Sequence, residues 1–373
     1  MRFRRSRGLT CYWYQGSFIA HPYPHRDPTA LHPVAAEILS AFEDFTEPAD
    51  AAKALGHLAP EDVEDAVREL SEAGLLLAED SLDAERDESN DSCWGPWAPE
   101  VPFFHYATQD VAYTHNDAAT GQAARTPQAD DETLPAMFTR YPDADRLLLP
   151  RIPANLHAPY DQVLYARRTH RDFTSRPVPL ATLAALLSTV FGPVDYIDSG
   201  RSALLRRTSP AGGARQELDA YVGVLNVTGA EPGMYHYNSL EHSLELVSTG
   251  LTPEETVHLC ANQDWTGRAA FIIVLVAAFE RVSVKYRTPR AYRVTLLNAG
   301  HLGQTFALTA TALGIGPAQT GAFADTPIAA RCGLDNVTRT PLYVLLGGFP
   351  QPNGQEAPAA ATLATFRHTA IHT

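Results

Sequence analysis

Apolar residues recur at helical spacing in the first part of the chain. The segment HPVAAEILSAF places Val34, Ile38 and Phe42 on one helix face, and PEDVEDAVRELSEAG repeats this spacing further along. The second segment starts with a proline and ends at a glycine, which are typical helix boundaries, and a short apolar run after it predicts a strand. Together these features predict a small winged-helix-like module over residues 1–80.

The composition changes near residue 79. The run AEDSLDAERDESND is acidic and nearly free of large apolar side chains, which favours a solvated linker over a packed element. The stretch after it mixes prolines and aromatic residues with a polar, alanine-rich part, as expected of a segment that wraps around a neighbour. We therefore expect a linker and wrapping segment over residues 81–150.

Helical and strand patterns alternate over residues 151–350, as in an α/β or α+β domain. The segment VPLATLAALLSTVFG predicts an amphipathic helix, and the apolar runs YVGVLNV, FIIVLVAAF and LYVLLGG predict buried strands. The segment VTLLNAGHLGQTFALTATALG predicts a long buried helix that ends at Gly314. The alanine- and proline-rich tail, residues 351–373, carries no pattern that predicts a role.

Composition and charge exclude several classes of protein. The 373 residues are 45% hydrophobic, so the chain can bury at least one sizeable core. A net charge of −14 repels phosphates and argues against a nucleic-acid partner. The four scattered cysteines have neither a disulfide-framework nor a zinc-ligand spacing. Because no signal peptide and no membrane span of about 18 apolar residues is recognisable, we expect a cytoplasmic protein without a membrane partner.

An arginine-rich segment is a candidate anion site. The segment ARRTHRDF gathers Arg167, Arg168 and Arg171 around Thr169, so that several guanidinium groups can converge on one phosphate. A solvated basic turn is the alternative explanation of such a segment when it stands alone.

A glycine turn is a candidate cofactor face. In SPAGGARQELDAYVGVLNV, Gly212 and Gly213 remove side chains just before a strand, where a flat ring can lie on the backbone. A tight turn into the strand explains the same pattern without a ligand. The chain has neither a GxGxxG motif nor a P-loop, which disfavours a Rossmann dinucleotide site and an NTPase.

Lysine is rare in this chain, which draws attention to Lys285. Only Lys53 and Lys285 are lysines among the 29 basic residues. Lysine can release its proton and arginine effectively cannot, and a buried or paired lysine or tyrosine can act as a general base. Lys285 and Tyr286 are therefore a candidate acid/base pair, although a strand-end lysine beside a packed tyrosine is the alternative. The sequence shows neither a Ser/His/Asp set nor an HExxH motif, so nothing in it indicates a hydrolase.

In this order, the segments resemble the SagB-type dehydrogenases, the branch of the nitroreductase-like flavoproteins that oxidises thiazolines and oxazolines in peptides. The resemblance spans residues 103–348 and rests on four segments: RRTHRDF, SPAGGARQELDAY followed by EPGMYHYN, VKYRTPRAYRVTLLNAGHLGQ, and LGIGPAQTGAF. It implies an α+β, nitroreductase-like FMN-binding fold over residues 151–350. The N-terminal module resembles the winged-helix peptide-recognition elements that accompany such enzymes.

The resemblance implies FMN as the cofactor. The arginine-rich segment would bind its phosphate and ribitol, the glycine turn would lie under its ring, and the loop after LGIGPAQ would approach N5. The proline-serine of the family is Pro210-Ala211 here, so Ala211 offers only its backbone, and an aspartate often found in the long helix is Asn298. The implied cofactor-binding residues are Arg167, Arg168, Thr169, Arg171, Pro210, Ala211, Gly212, Gly213, Thr320 and Gly321.

The implied reaction is the oxidation of a thiazoline or oxazoline in a peptide precursor to a thiazole or oxazole, with dioxygen reoxidising the flavin. Lys285 and Tyr286 match the Lys-Tyr pair of the azoline oxidases and would handle the proton; which of the two is the base stays open. A homodimer is implied, and a cyclodehydratase is a candidate partner. The alternatives are the same chemistry on a carrier-bound nonribosomal intermediate, an NAD(P)H-dependent nitroreductase, and a flavin-free, peptide-binding scaffold.

Overall fold

The computed structural model describes residues 1–24, 27–111, 135–198 and 203–352. The chain divides into two compact units, Met1–Ala112 and Tyr113–Thr373. All predicted site residues lie within the described part, whereas the predicted tail lies outside it except for its first two residues. Among the described residues, no helix combines the length and the hydropathy that a membrane crossing requires.

The first unit packs helices against short antiparallel strands. One sheet has the order β2-β3-β4, and β1 pairs with β5. The predicted helices are confirmed as α1 and α3, and the predicted strand as β5; the winged-helix assignment stays a prediction. The strands are β1 (Phe3–Arg5), β2 (Leu9–Tyr14), β3 (Ser17–Pro22), β4 (Thr29–Leu31) and β5 (Leu76–Ala78). The helices are α1 (Val34–Ser40), α2 (Pro48–Ala54), α3 (Pro60–Glu72), α4 (Leu82–Trp94) and α5 (Glu100–Ala107).

The acidic run after residue 79 folds as α4, so the prediction of a solvated linker there is wrong. The Ser81 side chain caps this helix by accepting a hydrogen bond from the Ala84 N–H at 3.1 Å. Its Asp87 carboxylate is buried and accepts hydrogen bonds from Arg4 Nη1 at 2.5 Å and Ser6 Oγ at 2.7 Å. This ion pair joins residues far apart in sequence and holds the acidic helix in place, which composition alone does not reveal.

Replacement of Asp87 by alanine is expected to lower the free energy of unfolding by about 3–5 kcal/mol, because it leaves the Arg4 guanidinium buried without its main counter-charge. Asp91→Ala is the matched control on the same helix, since the Asp91–Arg7 pair is half-exposed and contributes less than about 1 kcal/mol. Denaturant unfolding measures both changes. Equal, small losses in the two variants would contradict a structural role for Asp87.

The second unit contains the remaining elements. Its strands are β6 (Arg146–Leu148), β7 (Val178–Pro179), β8 (Asp195–Asp198), β9 (Ala203–Arg206), β10 (Leu218–Val224), β11 (Val227–Thr228), β12 (Gly233–Asn238), β13 (Ser243–Thr249), β14 (Phe271–Ala278), β15 (Gly316–Thr320) and β16 (Arg339–Gly348). Its α-helices are α6 (Tyr160–Ala166), α7 (Leu180–Phe191), α8 (Pro253–Leu259), α9 (Phe279–Ser283), α10 (Arg290–Ala312) and α11 (Asp325–Arg331). Short 3-10 turns cover Gly212–Ala214 and Asp264–Arg268.

A seven-stranded antiparallel sheet forms the centre of the second unit as far as it is described, in the order β15-β16-β14-β10-β12-β13-β6. Helices α7 and α10 pack on one face, and α8 and α11 pack on the other. The strand β14 is buried along its whole length because alternate side chains enter the two cores. This layered arrangement confirms the predicted α+β fold.

The long helix α10 also confirms its prediction. It ends before Gly314, whose φ of +73° is the left-handed conformation that favours glycine. The Ile315 N–H then donates to the Ala310 carbonyl at 2.8 Å and closes the end of the helix. The chain continues directly into β15. Helix α10 and strand β15 position different parts of the candidate site.

Candidate functional site

Strand pairing explains why the glycine turn and the Lys-Tyr pair come together. The turn precedes β10, and Lys285 and Tyr286 follow β14 and the short helix α9. Because β10 and β14 run antiparallel, with Leu218 opposite Ala277, the start of one strand lies beside the end of the other. Two segments separated by about seventy residues in sequence therefore meet at one edge of the sheet.

The glycine turn contacts the Lys-Tyr pair directly. Gly213 has a φ of +63°, and a Cβ added there would lie 2.5 Å from Tyr286 Oη and 3.1 Å from Lys285 Nζ. A Cβ at Gly212 would lie 2.7 Å from Val294 Cγ1 on α10. A side chain at either position would require Val294, or Tyr286 and Lys285, to move, and the positive φ of Gly213 adds strain for any other residue.

Lys285 and Tyr286 also contact each other. The Lys285 Nζ atom lies 5.2 Å from the centroid of the Tyr286 ring, within the range of a cation–π contact. Lys285 is exposed and Tyr286 is half-buried, so both side chains can be reached from outside the chain. Both side chains therefore stand at the same place beside the turn, where either can reach a substrate proton.

Gly213→Ala is expected to lower the free energy of unfolding by more than the roughly 1 kcal/mol that left-handed backbone costs an alanine. The added methyl group must also push Tyr286 and Lys285 aside. Gly250→Ala is the matched control, since Gly250 has a φ of +71° and open space around its Cβ position. Denaturant unfolding measures the loss of stability in both variants, and the difference between them is the part caused by the contact with Tyr286 and Lys285. Equal losses would show that Gly213 does not pack against the pair.

Helix α9 holds the Lys-Tyr pair in place through a buried arginine. Arg281 Nη1 binds Asp219 Oδ1 at 2.8 Å, and its Nη2 donates to Thr139 Oγ1 at 2.8 Å. Burial alone would raise the pKa of Asp219, but the charges of Arg281 and His236 hold this pKa below its ordinary value. The carboxylate thus stays ionised and anchors α9 to β10, a role that no sequence pattern indicated.

Three buried polar atoms near the glycine turn have no hydrogen-bond partner among the described residues: Arg207 Nε, Arg215 Nε and Glu217 Oε2. Burial, opposed by the charge of Asp219, lowers the pKa of Arg207 to about 10. Buried polar atoms without partners are rare in native proteins and indicate a missing polar group. The surroundings of the turn therefore fit a bound molecule with several hydrogen-bonding atoms, as an isoalloxazine ring would be.

The contact with Glu217 explains why α10 carries Asn298 where the family often has an aspartate. The carboxylate is 1% exposed, and its Oε1 accepts a hydrogen bond from Asn298 Nδ2 at 2.8 Å. An aspartate at position 298 would place a second negative charge against it, whereas the asparagine amide donates a hydrogen bond to it. Glu217 is a site residue that was not predicted from the sequence, and the signal that could have revealed it is the departure from the family pattern at Asn298.

The arginine-rich segment lies against the start of β15. The His170 N–H donates to the Pro317 carbonyl at 2.9 Å, and Gly316 has no side chain where the imidazole packs. Burial, then the charges of Arg168 and Arg167, lowers the pKa of His170. The guanidinium of Arg171 lies 5.8 Å from the Trp265 ring centroid.

The same segment is a concentration of unneutralised positive charge. Within the described ranges, Arg167, Arg168 and Arg171 form no ion pair with a carboxylate. Thr169, between them, is exposed. Arginines that lack protein counter-ions and cluster around a hydroxyl fit a phosphate group.

The loop after β15 is held by hydrogen bonds. Thr320 Oγ1 accepts from the Ala322 N–H and from Gln263 Nε2, each at 3.0 Å. Gly321 has open space where its Cβ would be. The Thr320 hydroxyl therefore shapes the loop, and the exposed Gly321 backbone is free of neighbouring side chains.

The predicted residues thus form two groups. Gly212 and Gly213 adjoin Lys285 and Tyr286, with Pro210 and Ala211 leading into the turn. The arginine-rich segment and the Thr320–Gly321 loop flank the two ends of β15. That one FMN molecule spans both groups stays a prediction.

Comparison with known proteins reveals the family. A model described as the nitroreductase family matches residues 164–349, which contain every predicted site residue. A Methanocaldococcus jannaschii protein named as a nitroreductase is 31% identical over 168 residues, 45% of this chain and 81% of that protein. A solved structure named as a nitroreductase, from Anabaena variabilis, has a TM-score of 0.50 at 24% identity, covering 57% of this chain and 44% of its own. This likeness supports the fold alone.

Two further relatives are named for the processing of trifolitoxin and of microcin B17. The trifolitoxin-processing protein TfxB of Rhizobium leguminosarum bv. trifolii is 32% identical over 35% of this chain and 36% of its own length. The microcin B17-processing protein McbC of Escherichia coli is 29% identical over 45% of this chain and 61% of its own length. The matches span less than two thirds of both proteins. Together with the family match, they agree with the SagB-type resemblance, and the chain belongs to the nitroreductase family.

Proposed function

We propose that this protein is an FMN-dependent dehydrogenase that oxidises thiazoline or oxazoline rings of a peptide precursor to the aromatic azoles, with dioxygen as the final electron acceptor. Membership of the nitroreductase family makes the chain an oxidoreductase. The observation that carries the finer proposal is the contact of Lys285 and Tyr286 with the glycine turn at Gly213. The similarity to two processing proteins supports a peptide substrate.

The residues on the two sides of the site fit the parts of FMN. Arg167, Arg168, Thr169 and Arg171 would hold the phosphate, since they bring positive charge and a hydroxyl and no described carboxylate neutralises them. The turn from Pro210 to Gly213 would lie against the ring, where buried polar atoms have no hydrogen-bond partner among the described residues. Thr320 and Gly321 would meet the ring through their backbone.

The reaction requires a base at the substrate ring. Conversion of an azoline to an azole breaks two C–H bonds and releases one proton and one hydride. When bound, FMN accepts the hydride and passes the electrons on to dioxygen. The Lys285/Tyr286 pair accepts the ring proton, and the turn at Gly213 lies directly beside the two side chains. Positioning the substrate carbon close to this pair supplies much of the rate acceleration.

Mass spectrometry tests the proposal directly. Protein loaded with FMN and mixed with a thiazoline-containing peptide in air should convert it to a product lighter by two hydrogen atoms. The matched control is the same peptide with a thiazole, which has no hydride to give. An unchanged thiazoline peptide, under conditions where FMN is bound, would contradict the proposed reaction.

An NAD(P)H-dependent nitroreductase is the second candidate, because the Methanocaldococcus jannaschii relative is named as a nitroreductase and is matched over 81% of its length. Steady-state NADPH oxidation with a nitroaromatic acceptor measures this activity. If NADPH turnover is fast and the thiazoline peptide is unchanged, the second candidate replaces the first. A carrier-bound thiazoline, offered beside the free peptide, tests the related substrate class.

We propose that the chain acts as a homodimer with a cyclodehydratase as a further partner. Helix α10 supports the dimer because Leu296 and Leu297 are exposed on it, Leu297 by 58%, next to Gly300 with open space around it. Exposed apolar side chains beside a small residue are typical of helix interfaces. Light scattering of the purified protein measures the mass; a monomer at micromolar concentration would contradict the dimer.

A further inference from the structure

Glu217 is a buried carboxylate that uses only part of its hydrogen-bonding capacity. It is 1% exposed, and Asn298 Nδ2 donates to its Oε1 at 2.8 Å, while its Oε2 has no partner among the described residues. No described lysine, arginine or histidine forms an ion pair with Glu217, whereas Arg281 neutralises the neighbouring Asp219. The field of a buried carboxylate without a counter-ion extends further than that of a solvated one, because water and salt screen it less.

This carboxylate lies close to the turn on which the flavin ring is proposed to rest. Asn298 Nδ2, which binds it, is also 3.9 Å from the position that a Cβ on Gly212 would take. Steps of 3.9 Å and 2.8 Å therefore lead from the bare face of Gly212 to the negative charge. Two charges separated by such distances inside a protein interact appreciably. Glu217 can thus act through space on a ring at this turn, without touching it.

Three cations surround the same turn and have the opposite effect on a negative charge there. Lys285 Nζ is 3.1 Å from the Cβ position at Gly213, and Arg207 and Arg215 flank the turn in sequence. Burial lowers the pKa of Arg207 to about 10, and the charge of Glu217 is among those that oppose this effect. Glu217 is therefore a negative charge in positive surroundings, and its loss changes the charge beside the ring by one full unit.

We propose that Glu217 lowers the reduction potential of the bound flavin, because its charge disfavours the extra negative charge of the reduced ring. The inference rests on the proposed function. A hydride from the azoline carbon brings two electrons and one proton to the ring, which becomes more negative by one charge. The second proton of the azoline goes to the Lys285/Tyr286 pair. A negative charge beside the ring raises the free energy of the reduced state and leaves the oxidised state nearly unaffected.

A low potential suits an enzyme that returns electrons to dioxygen. On reoxidation, the two electrons and the hydrogen leave the ring for dioxygen, which takes up one further proton and departs as hydrogen peroxide. Destabilising the reduced ring favours this step. Reduction by the substrate stays possible because formation of the aromatic azole drives it.

Equilibrium reduction of bound FMN beside a dye of known potential tests the charge without any substrate. Glu217→Gln keeps the shape of the side chain and removes its charge, so reduced FMN should bind about tenfold more tightly relative to oxidised FMN, a rise of about 30 mV for a two-electron couple. Glu245→Gln is the matched control, since Glu245 is equally buried but lies on β13, two strands from β10. An unchanged potential in Glu217→Gln, or an equal rise in both variants, would overturn the proposal.

A second variant separates the charge from the side chain that carries it. Glu217→Gln/Asn298→Asp reverses the hydrogen-bonded pair, so that the negative charge moves to α10 and stays beside Gly212. Its potential should return toward that of the unaltered protein, an outcome that a purely structural role of Glu217 does not predict. A double variant that keeps the raised potential of Glu217→Gln would show that a charge at this place does not set the potential.

Anaerobic addition of a thiazoline-containing peptide to the unaltered protein distinguishes failure of this inference from failure of the proposed function. Bleaching of the flavin, together with equal potentials in the unaltered protein and Glu217→Gln, would overturn the role of Glu217 and keep the dehydrogenase. A raised potential in Glu217→Gln without bleaching by the peptide would keep the role of Glu217 and count against azoline oxidation.

Discussion

Replacement of Lys285 by alanine is expected to slow azoline oxidation by a factor of about 10²–10⁴ while FMN stays bound. The side chain is exposed, so its loss costs the fold little, and its Nζ lies beside both the Tyr286 ring and the Gly213 position. Removing it takes away one of the two groups that can receive the substrate proton. Anaerobic stopped-flow reduction of the bound flavin measures the chemical step alone.

Further variants separate the roles within the pair. Lys285→Arg keeps the positive charge but cannot release a proton, so it should be as slow as alanine if Lys285 is the base. Tyr286→Phe keeps the ring and removes the hydroxyl, and slow reduction there would place the base on the tyrosine. Lys53→Ala is the matched control, since Lys53 is an exposed lysine on α2. Full activity of both Lys285→Ala and Tyr286→Phe would overturn the assignment.

The second large effect is expected at the arginine-rich segment. Arg167→Ala/Arg168→Ala should weaken FMN binding by about 10- to 100-fold per arginine, the loss of one charge-assisted hydrogen bond each. Arg176→Ala is the control, because its guanidinium lies 4.1 Å from the Phe349 ring centroid and contacts that aromatic group. Titration of flavin fluorescence measures the dissociation constants.

The charges of Arg167 and Arg168 can also be tested without FMN, through the titration of His170. The charges of Arg168 and Arg167 add to burial in lowering the pKa of His170, so removing both arginines should raise this pKa toward its ordinary value. The imidazole would then hold its proton to higher pH in the double variant than in the unaltered protein. Histidine NMR signals follow this titration. An unmoved His170 pKa together with unchanged FMN affinity would contradict the phosphate site.

The sequence predicted those helices and strands whose hydrophobic pattern lies within one continuous segment of the chain. The uninterrupted apolar run of β14 and the long apolar face of α10 are local properties, and the structure confirms both elements. Strand pairing is not local: the contact of Gly213 with Tyr286 depends on β10 running antiparallel beside β14, which the two segments do not specify separately. The candidate residues could therefore be found from the sequence, but their contact could not.

Buried charged residues explain the other differences between the predictions from the sequence and the structure. Helix α4 has the composition of a linker, and it is held by the Asp87–Arg4 pair, whose members lie 83 residues apart in sequence. Glu217 gave no sequence signal of its own because a buried carboxylate is recognisable only beside its donor, Asn298. Long-range polar pairs of this kind leave almost no trace in local composition.

The visible absorbance spectrum of FMN-loaded protein, before and after anaerobic addition of a thiazoline-containing peptide, tests azoline oxidation by this protein most directly. We expect the flavin band to bleach on addition of the peptide alone and to return when air is admitted. A band that bleaches only with NADPH, or protein that takes up no FMN, would show that the protein is not an azoline dehydrogenase.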